Sequence, residues 1–186
     1  VIGFNIAQLL KSTTGTARSV EVDEQDPELA ADLHLVSPVR GSLRLMRTSS
    51  GVLAKGQLSF EAEFTCSRCL ELFARTQVIK LNDEFLPVVD VSTGVALPEP
   101  EDPDTFRLTA DHLLDLNEAI RQYSIVEAPL QPLCSEGCKG LCGQCGANLN
   151  LGSCGCQPDS VGDPHGTLGE MLAERMRRAG FKIEQE

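Results

Sequence analysis

The chain has 186 residues, 41% of them hydrophobic, which is enough for one domain with a real core and too apolar for a disordered protein. Aromatic residues make up only 4% and Trp is absent, so the core must rest on Leu, Val, Ile and Ala. A formal net charge of -11 excludes binding of nucleic acid or anionic membrane over the whole surface, and leaves open a local basic patch.

Taken in order, the first residues, VIGFNIAQLLK, lack the basic lead of a secretory signal, and Asn5 and Gln8 break their apolar run. No stretch reaches the roughly 18 consecutive apolar residues of a membrane span, so no membrane partner is expected. The expected setting is the reducing cytoplasm, where eight cysteines favour metal ligation over disulfides. Residues 4–11 read as a short helix, with Phe4, Ala7, Gln8 and Lys11 one turn apart, as are Ile6, Leu9 and Leu10. Residues 21–32 carry six acids and no base, and read as a solvated loop or helix start.

From Leu33 to Phe85 the hydrophobic period becomes two. Leu33 and Leu35, then Leu43 and Leu45, alternate with polar residues, and Ser49-Ser50-Gly51 signals a turn between residues 43–48 and 52–55. Gly56 suggests a bulge. The clearest strand follows, with Leu58, Phe60, Ala62 and Phe64 alternating with Ser59, Glu61, Glu63 and Thr65, the pattern of an antiparallel sheet with one wet face. It runs into Cys66-Ser67-Arg68-Cys69. A return strand over residues 73–85, with Ile79 and Leu81 inward, puts this C-x2-C at a hairpin tip. Between Asp32 and Glu61 stand Arg40, Arg44, Arg47 and Lys55 without an acid; this is the candidate RNA-binding patch, set against the plainer reading of a solvated sheet face.

Residues 87–103, rich in Pro and acids, read as a mobile loop. Residues 111–127 read as a helix, with Asp115 and Glu118 as a capping box ahead of Leu116, Ala119, Ile120 and Tyr123. Pro129 and Pro132 stop it. At the end, Asp163-Pro164 can cap an amphipathic helix bearing Leu168, Met171, Leu172, Arg175 and Met176, closed by Gly180. The division expected from this is an α+β domain over 1–130 carrying the C-x2-C hairpin, a cysteine-rich metal-binding module over 131–160, and the last helix over 161–186.

The chemistry lies in the cysteines. Cys142-Gly-Gln-Cys145-Gly is a knuckle turn whose two thiolates can face one ion, and Cys154-Gly-Cys156 supplies two more, completing a closed tetrahedral site. Cys134 and Cys138 are left over, as are Cys66 and Cys69, and counting makes them a second site shared between the hairpin and the cysteine-rich stretch. An exchange of ligands among Cys134, Cys138, Cys142 and Cys156 is also compatible with the spacing. One or two structural zinc ions are the leading cofactor, with an iron–sulfur cluster as the alternative, since thiolate softness suits both. A radical S-adenosylmethionine reading of Cys138-x3-Cys142-x2-Cys145 needs a barrel, and only residues 146–186 follow. His34, His112 and His165 are scattered, and no zinc-hydrolase motif, P-loop, nucleophile elbow or paired-carboxylate site occurs. No enzymatic activity and no small-molecule substrate are therefore expected.

FNIAQLLK, FTCSRCLELF, DEFLPVVD, LDLNEAIRQY and APLQPLCSEGCKGLCGQCGANLN followed by CGC resemble the YceD-like family, proteins of bacteria and plastids linked to accumulation of large-subunit (23S) ribosomal RNA. The resemblance spans nearly the whole chain. Cys66 and Cys69 match the widely shared C-x2-C, and Cys134, Cys138, Cys142, Cys145, Cys154 and Cys156 match the tail of a cysteine-rich branch. The chain departs from the family where Gly143 replaces a frequent Pro, and where Asp163-Pro164-His165-Gly166 replaces an ending commonly D-P-R. The resemblance implies a non-enzymatic factor in large-subunit ribosomal RNA processing or stability, or in assembly. Its partners would be ribosomal RNA, large-subunit ribosomal proteins or processing factors. The expected fold is α+β, an antiparallel sheet with flanking helices and a C-terminal zinc-ribbon-like module.

Overall fold

The computed structural model describes residues 1–156. The last helix expected from sequence, after Asp163-Pro164, lies outside the described residues. The chain divides into two compact units, Val1–Gly140 and Leu141–Glu186.

The first unit is built on a four-stranded antiparallel sheet in the order β2 (Ala17–Glu24), β3 (Val39–Arg47), β4 (Val52–Thr65), β5 (Leu72–Phe85). The alternation of apolar residues decides its two faces. Val22, Val39, Leu43, Leu45, Val52, Ala54, Leu58, Phe60, Ile79, Leu81 and Phe85 point inward and are buried, while the alternate residues of each strand point to the outer face. Full burial of one such Leu or Ile is worth about 1.5–3 kcal/mol. The inner face is covered by α1 (Ala7–Leu10), α2 (Pro27–Leu33) and α3 (Asn117–Glu127), which contribute Leu9, Leu10, Leu29, Ala119 and Ile120 to the core. The result is the α+β architecture that the period-two run and its flanking helices announce.

Several elements differ from the sequence reading. Phe4 lies in a short strand, β1 (Gly3–Asn5), which pairs with β6 (Leu113–Asp115). This pairing buries Ile2 and Leu114 completely, and the Asn5 side-chain oxygen then accepts from the Ala7 N–H at 3.1 Å to start the shortened α1. The acid-rich stretch is partly strand. β2 is an edge, its only buried residue is Val22, and outward charges such as Glu21 and Asp23 disfavour pairing of that edge with another chain. The helix start falls at Asp26, whose carboxylate accepts from the Leu29 N–H at 2.9 Å ahead of Pro27. Leu33 therefore ends α2, not a strand, and Leu35 makes a single bridge to Ala62.

Gly56 is not a bulge. Pairing runs without interruption through Leu43 and Leu81, and a side chain at Gly56 would come within 2.2 Å of the Ser42 carbonyl oxygen, so glycine serves close strand approach. The Pro-rich stretch contains a small ordered turn. Asp90 accepts from the Ser92 and Thr93 amides at 3.0 and 2.7 Å, and Val89 bridges Ala96. The capping box does not form. Asp115 accepts from the Asn117 N–H, while Glu118 turns to Arg121 and Gln122. Leu116, Ala119 and Ile120 are buried, and the Tyr123 hydroxyl donates to Asp83 at 2.5 Å, pinning α3 to β5.

Candidate metal centres

β4 and β5 stay paired until Thr65 meets Leu72, so the residues between them form the tip of a long hairpin. There the Cys66 N–H donates to the Glu71 carbonyl at 2.9 Å, and the Leu70 N–H donates to the Cys66 carbonyl at 3.0 Å. This tight turn leaves Leu70 at φ 61, a left-handed conformation unusual for a leucine. It also points Cys66 and Cys69 the same way.

The segment after Pro132 closes over this tip. The Ser67 N–H donates to the Pro132 carbonyl at 2.8 Å, and Arg68 Nη1 donates to the Cys138 carbonyl at 3.0 Å. Gly140, at φ 75, lies where a side chain would approach the Arg68 carbonyl oxygen to 3.0 Å. Cys134 and Cys138 are thereby brought to Cys66 and Cys69. The Sγ atoms of Cys66 and Cys138 are 3.7 Å apart, and those of Cys69 and Cys134 are 3.6 Å apart. All four lie within 4.8 Å of one another. Four sulfurs each about 2.3 Å from one ion would stand about 3.8 Å apart, so this set fits a tetrahedral metal. Cys66, Cys69 and Cys138 are buried and Cys134 is exposed.

The second unit holds the other set. Cys142, Cys145, Cys154 and Cys156 also lie within 4.8 Å of one another, and Cys145 is exposed while the rest are half-buried. The knuckle turn recurs, with the Cys142 N–H donating to the Ala147 carbonyl at 2.8 Å and the Gly146 N–H to the Cys142 carbonyl at 2.9 Å. Here the left-handed position is Gly146, at φ 71. Leu141 bridges Asn148 and closes the loop.

The electrostatics agree with metal ligation. Burial pushes the Cys66 thiol up, but the amides of Cys134, Cys69 and Arg68 aim at its sulfur and bring it down to about 6. The amides of Cys145 and Gln144 bring Cys142 down to about 6 in the same way. The Glu71 amide favours the Cys69 thiolate, yet burial and the thiols around it push Cys69 up to about 12. Neighbouring Cys145 and Cys154 push Cys156 to about 12. Four clustered thiols cannot all ionise against one another, and a divalent cation removes that conflict. Neither set includes a His or a carboxylate, so each could hold a metal ion in an all-sulfur shell with no protein-free position.

The residues of the basic patch are separated by the sheet. Arg44 and Lys55 are direct cross-strand partners on the outer face. Arg40, also outward, pairs with Asp23 at 2.9 Å. Arg47 is half-buried and donates to the Leu10 and Gly51 carbonyls at 3.1 and 2.8 Å, which ties α1 and the β3–β4 turn to the sheet. Lys80, exposed on β5, lines the same outer depression as Arg44 and Lys55. Sequence reasoning missed it because it lies outside the acid-free stretch; the alternation of β5 could have found it.

Comparison with known proteins gives a consistent result. A chloroplastic protein of Arabidopsis thaliana named Large ribosomal RNA subunit accumulation protein YCED homolog 1 is 30% identical over 69 residues, covering 37% of this chain and 22% of the relative. The maize (Zea mays) protein of the same name is 45% identical over 53 residues, covering 28% and 18%. An uncharacterized protein of Mycobacterium tuberculosis is 30% identical over 107 residues, covering 58% and 49%. The chain thus spans about half or less of the length of these relatives. No solved structure matches. The family described as "Large ribosomal RNA subunit accumulation protein YceD" matches residues 54–171, a span that includes all eight cysteines and most of the chain, and the chain belongs to that family.

Proposed function

We propose that the chain is a non-enzymatic binding factor that supports the processing, stability or accumulation of large-subunit (23S) ribosomal RNA, with a structural zinc ion in each four-cysteine set. The names of the plant relatives, which refer to large ribosomal RNA subunit accumulation, support the role. The single observation that carries the mode of action is the composition of the two sets. Both consist only of thiols, three of the four in the hairpin set are buried, and no carboxylate or imidazole stands among them to serve as a general base. Cys66, Cys69, Cys134 and Cys138 would hold one ion, and Cys142, Cys145, Cys154 and Cys156 the other. Zinc supplies no redox chemistry and acts there as a cross-link. An iron–sulfur cluster is the competing occupant, and a colourless protein, prepared without oxygen and carrying stoichiometric zinc, eliminates it.

The partner on this reading is ribosomal RNA of the large subunit, or the ribosomal proteins and processing factors bound to it. The setting is the cytoplasm or an equally reducing compartment, supported by eight cysteines without a disulfide. Among the described residues no helix is long and apolar enough to cross a membrane. Depleting the protein is expected to lower mature large-subunit ribosomal RNA relative to small-subunit RNA, measured by quantitative hybridisation; an unchanged ratio overturns the role.

A further inference from the structure

The outer face of the sheet is the broadest surface that neither metal set uses. At its centre Ser42, Arg44, Lys55, Gln57, Lys80 and Asn82 are all exposed. Register places Arg44, Lys55 and Asn82 in one row across β3, β4 and β5, and Ser42, Gln57 and Lys80 in the next. These side chains line one shallow depression. Arg44 and Lys55 are direct partners, an arrangement in which like charges repel and weaken a sheet. Lys80 adds a third positive charge on the diagonal from Lys55. Among the described residues none of the three makes an ion pair, whereas Arg40, on the same face, is neutralised by Asp23. Among the described residues no acid ion-pairs with any of the three cations, although Glu21 lines the same depression and Glu84 stands on the diagonal from Lys55, so the sheet keeps a local group of positive charges in a protein of net charge -11. A bound polyanion relieves that repulsion.

We propose that this face binds a sugar-phosphate backbone of RNA, with phosphates on Arg44, Lys55 and Lys80. Ser42, Gln57 and Asn82 supply donors to phosphate and ribose oxygens. This deepens, and rests on, the proposed role in ribosomal RNA accumulation. No aromatic ring stands at the outward positions of the four strands, so bases find no stacking platform and binding tolerates sequence. Glu21, at the β2 edge of the depression, opposes the anion and limits affinity.

The test uses the full chain with its metal, a short labelled single-stranded RNA of mixed sequence, and fluorescence anisotropy over a range of salt. Arg44→Glu, Lys55→Glu and Lys80→Glu are each expected to weaken binding about tenfold. Each removed contact makes the dependence of log affinity on log salt shallower by about 0.7. Glu21→Gln tightens binding, and Arg40→Gln stays within about twofold of the parent. All these side chains are exposed, and unchanged circular dichroism and metal content report that the variants fold. A folded triple variant that binds RNA as well as the parent overturns the proposal. So does a parent chain that binds a ribosomal protein through the three cations and binds no RNA. If the parent restores large-subunit RNA in depleted cells but binds no RNA, the site fails and the role stands. If the triple variant loses RNA binding while depletion leaves the ribosomal RNA ratio unchanged, the role fails and the site stands.

Discussion

In both knuckles the first cysteine's N–H donates to the carbonyl five residues on, and its carbonyl accepts from the residue four on. The turns 66–71 and 142–147 are the same structure built from CSRCLE and CGQCGA. Their surroundings differ. The hairpin turn joins cysteines 65 and 72 positions apart in the chain, three of them buried, and the segment after Pro132 is bonded to it by backbone and by Arg68. The second turn closes locally with half-buried and exposed thiols. One motif thus does two jobs. A metal in the first set closes a long loop onto the sheet, where loop-closure entropy makes the cross-link valuable. A metal in the second set ties together cysteines that lie within fifteen positions of one another, Cys142 to Cys156.

This contrast fixes the largest expected effect. Cys69→Ser is expected to remove one metal and lower the melting temperature of the sheet-bearing unit steeply, by several kcal/mol of stability. Cys145→Ser should remove one metal and leave that transition in place. Differential scanning calorimetry of the two variants measures this, and equal losses would break the comparison. A chelator with a colorimetric zinc readout should give two phases of release, the faster one from the exposed set and absent in Cys145→Ser. A single phase would show that burial does not distinguish the sets.

Arg68→Ala removes a charged donor to the Cys138 carbonyl and should destabilise the first unit by about 1.5–3 kcal/mol in urea melts, with no effect on metal retention by the second set. Gly140→Ala and Gly146→Ala both put a side chain on a left-handed backbone, at about 1 kcal/mol each. Only Gly140 adds a contact with the Arg68 carbonyl, so the first should cost more. The smallest effect belongs to Leu70→Gly. It relieves the left-handed strain that Gly146 avoids, and the leucine is 63% exposed, so a neutral change or a gain of under about 1 kcal/mol is expected.

The same contrast explains what was legible in the sequence. The second set could be read from spacing alone, because its ligands are neighbours. The first could be reached only by counting leftover thiols, since no local pattern links Cys66 to Cys138. In the sheet, β4 was plain because Leu58, Phe60, Ala62 and Phe64 alternate against a buried face. β2 was hidden because an edge strand with Glu21, Asp23 and Glu24 looks like a solvated loop. Phe4 satisfied a helical spacing while its partner Leu114 lay more than a hundred positions away, beyond any local period. Arg47 appeared to belong with Arg44 by charge, but the alternation of β3 turns it to the opposite face.

The measurement that tests the account most directly is elemental analysis of the purified parent and of Cys66→Ser. Two zinc ions per chain falling to one is the predicted result, since Cys66 completes the hairpin set and has no part in the other. Two ions retained by the variant, both lost together, or iron with sulfide in place of zinc would contradict it.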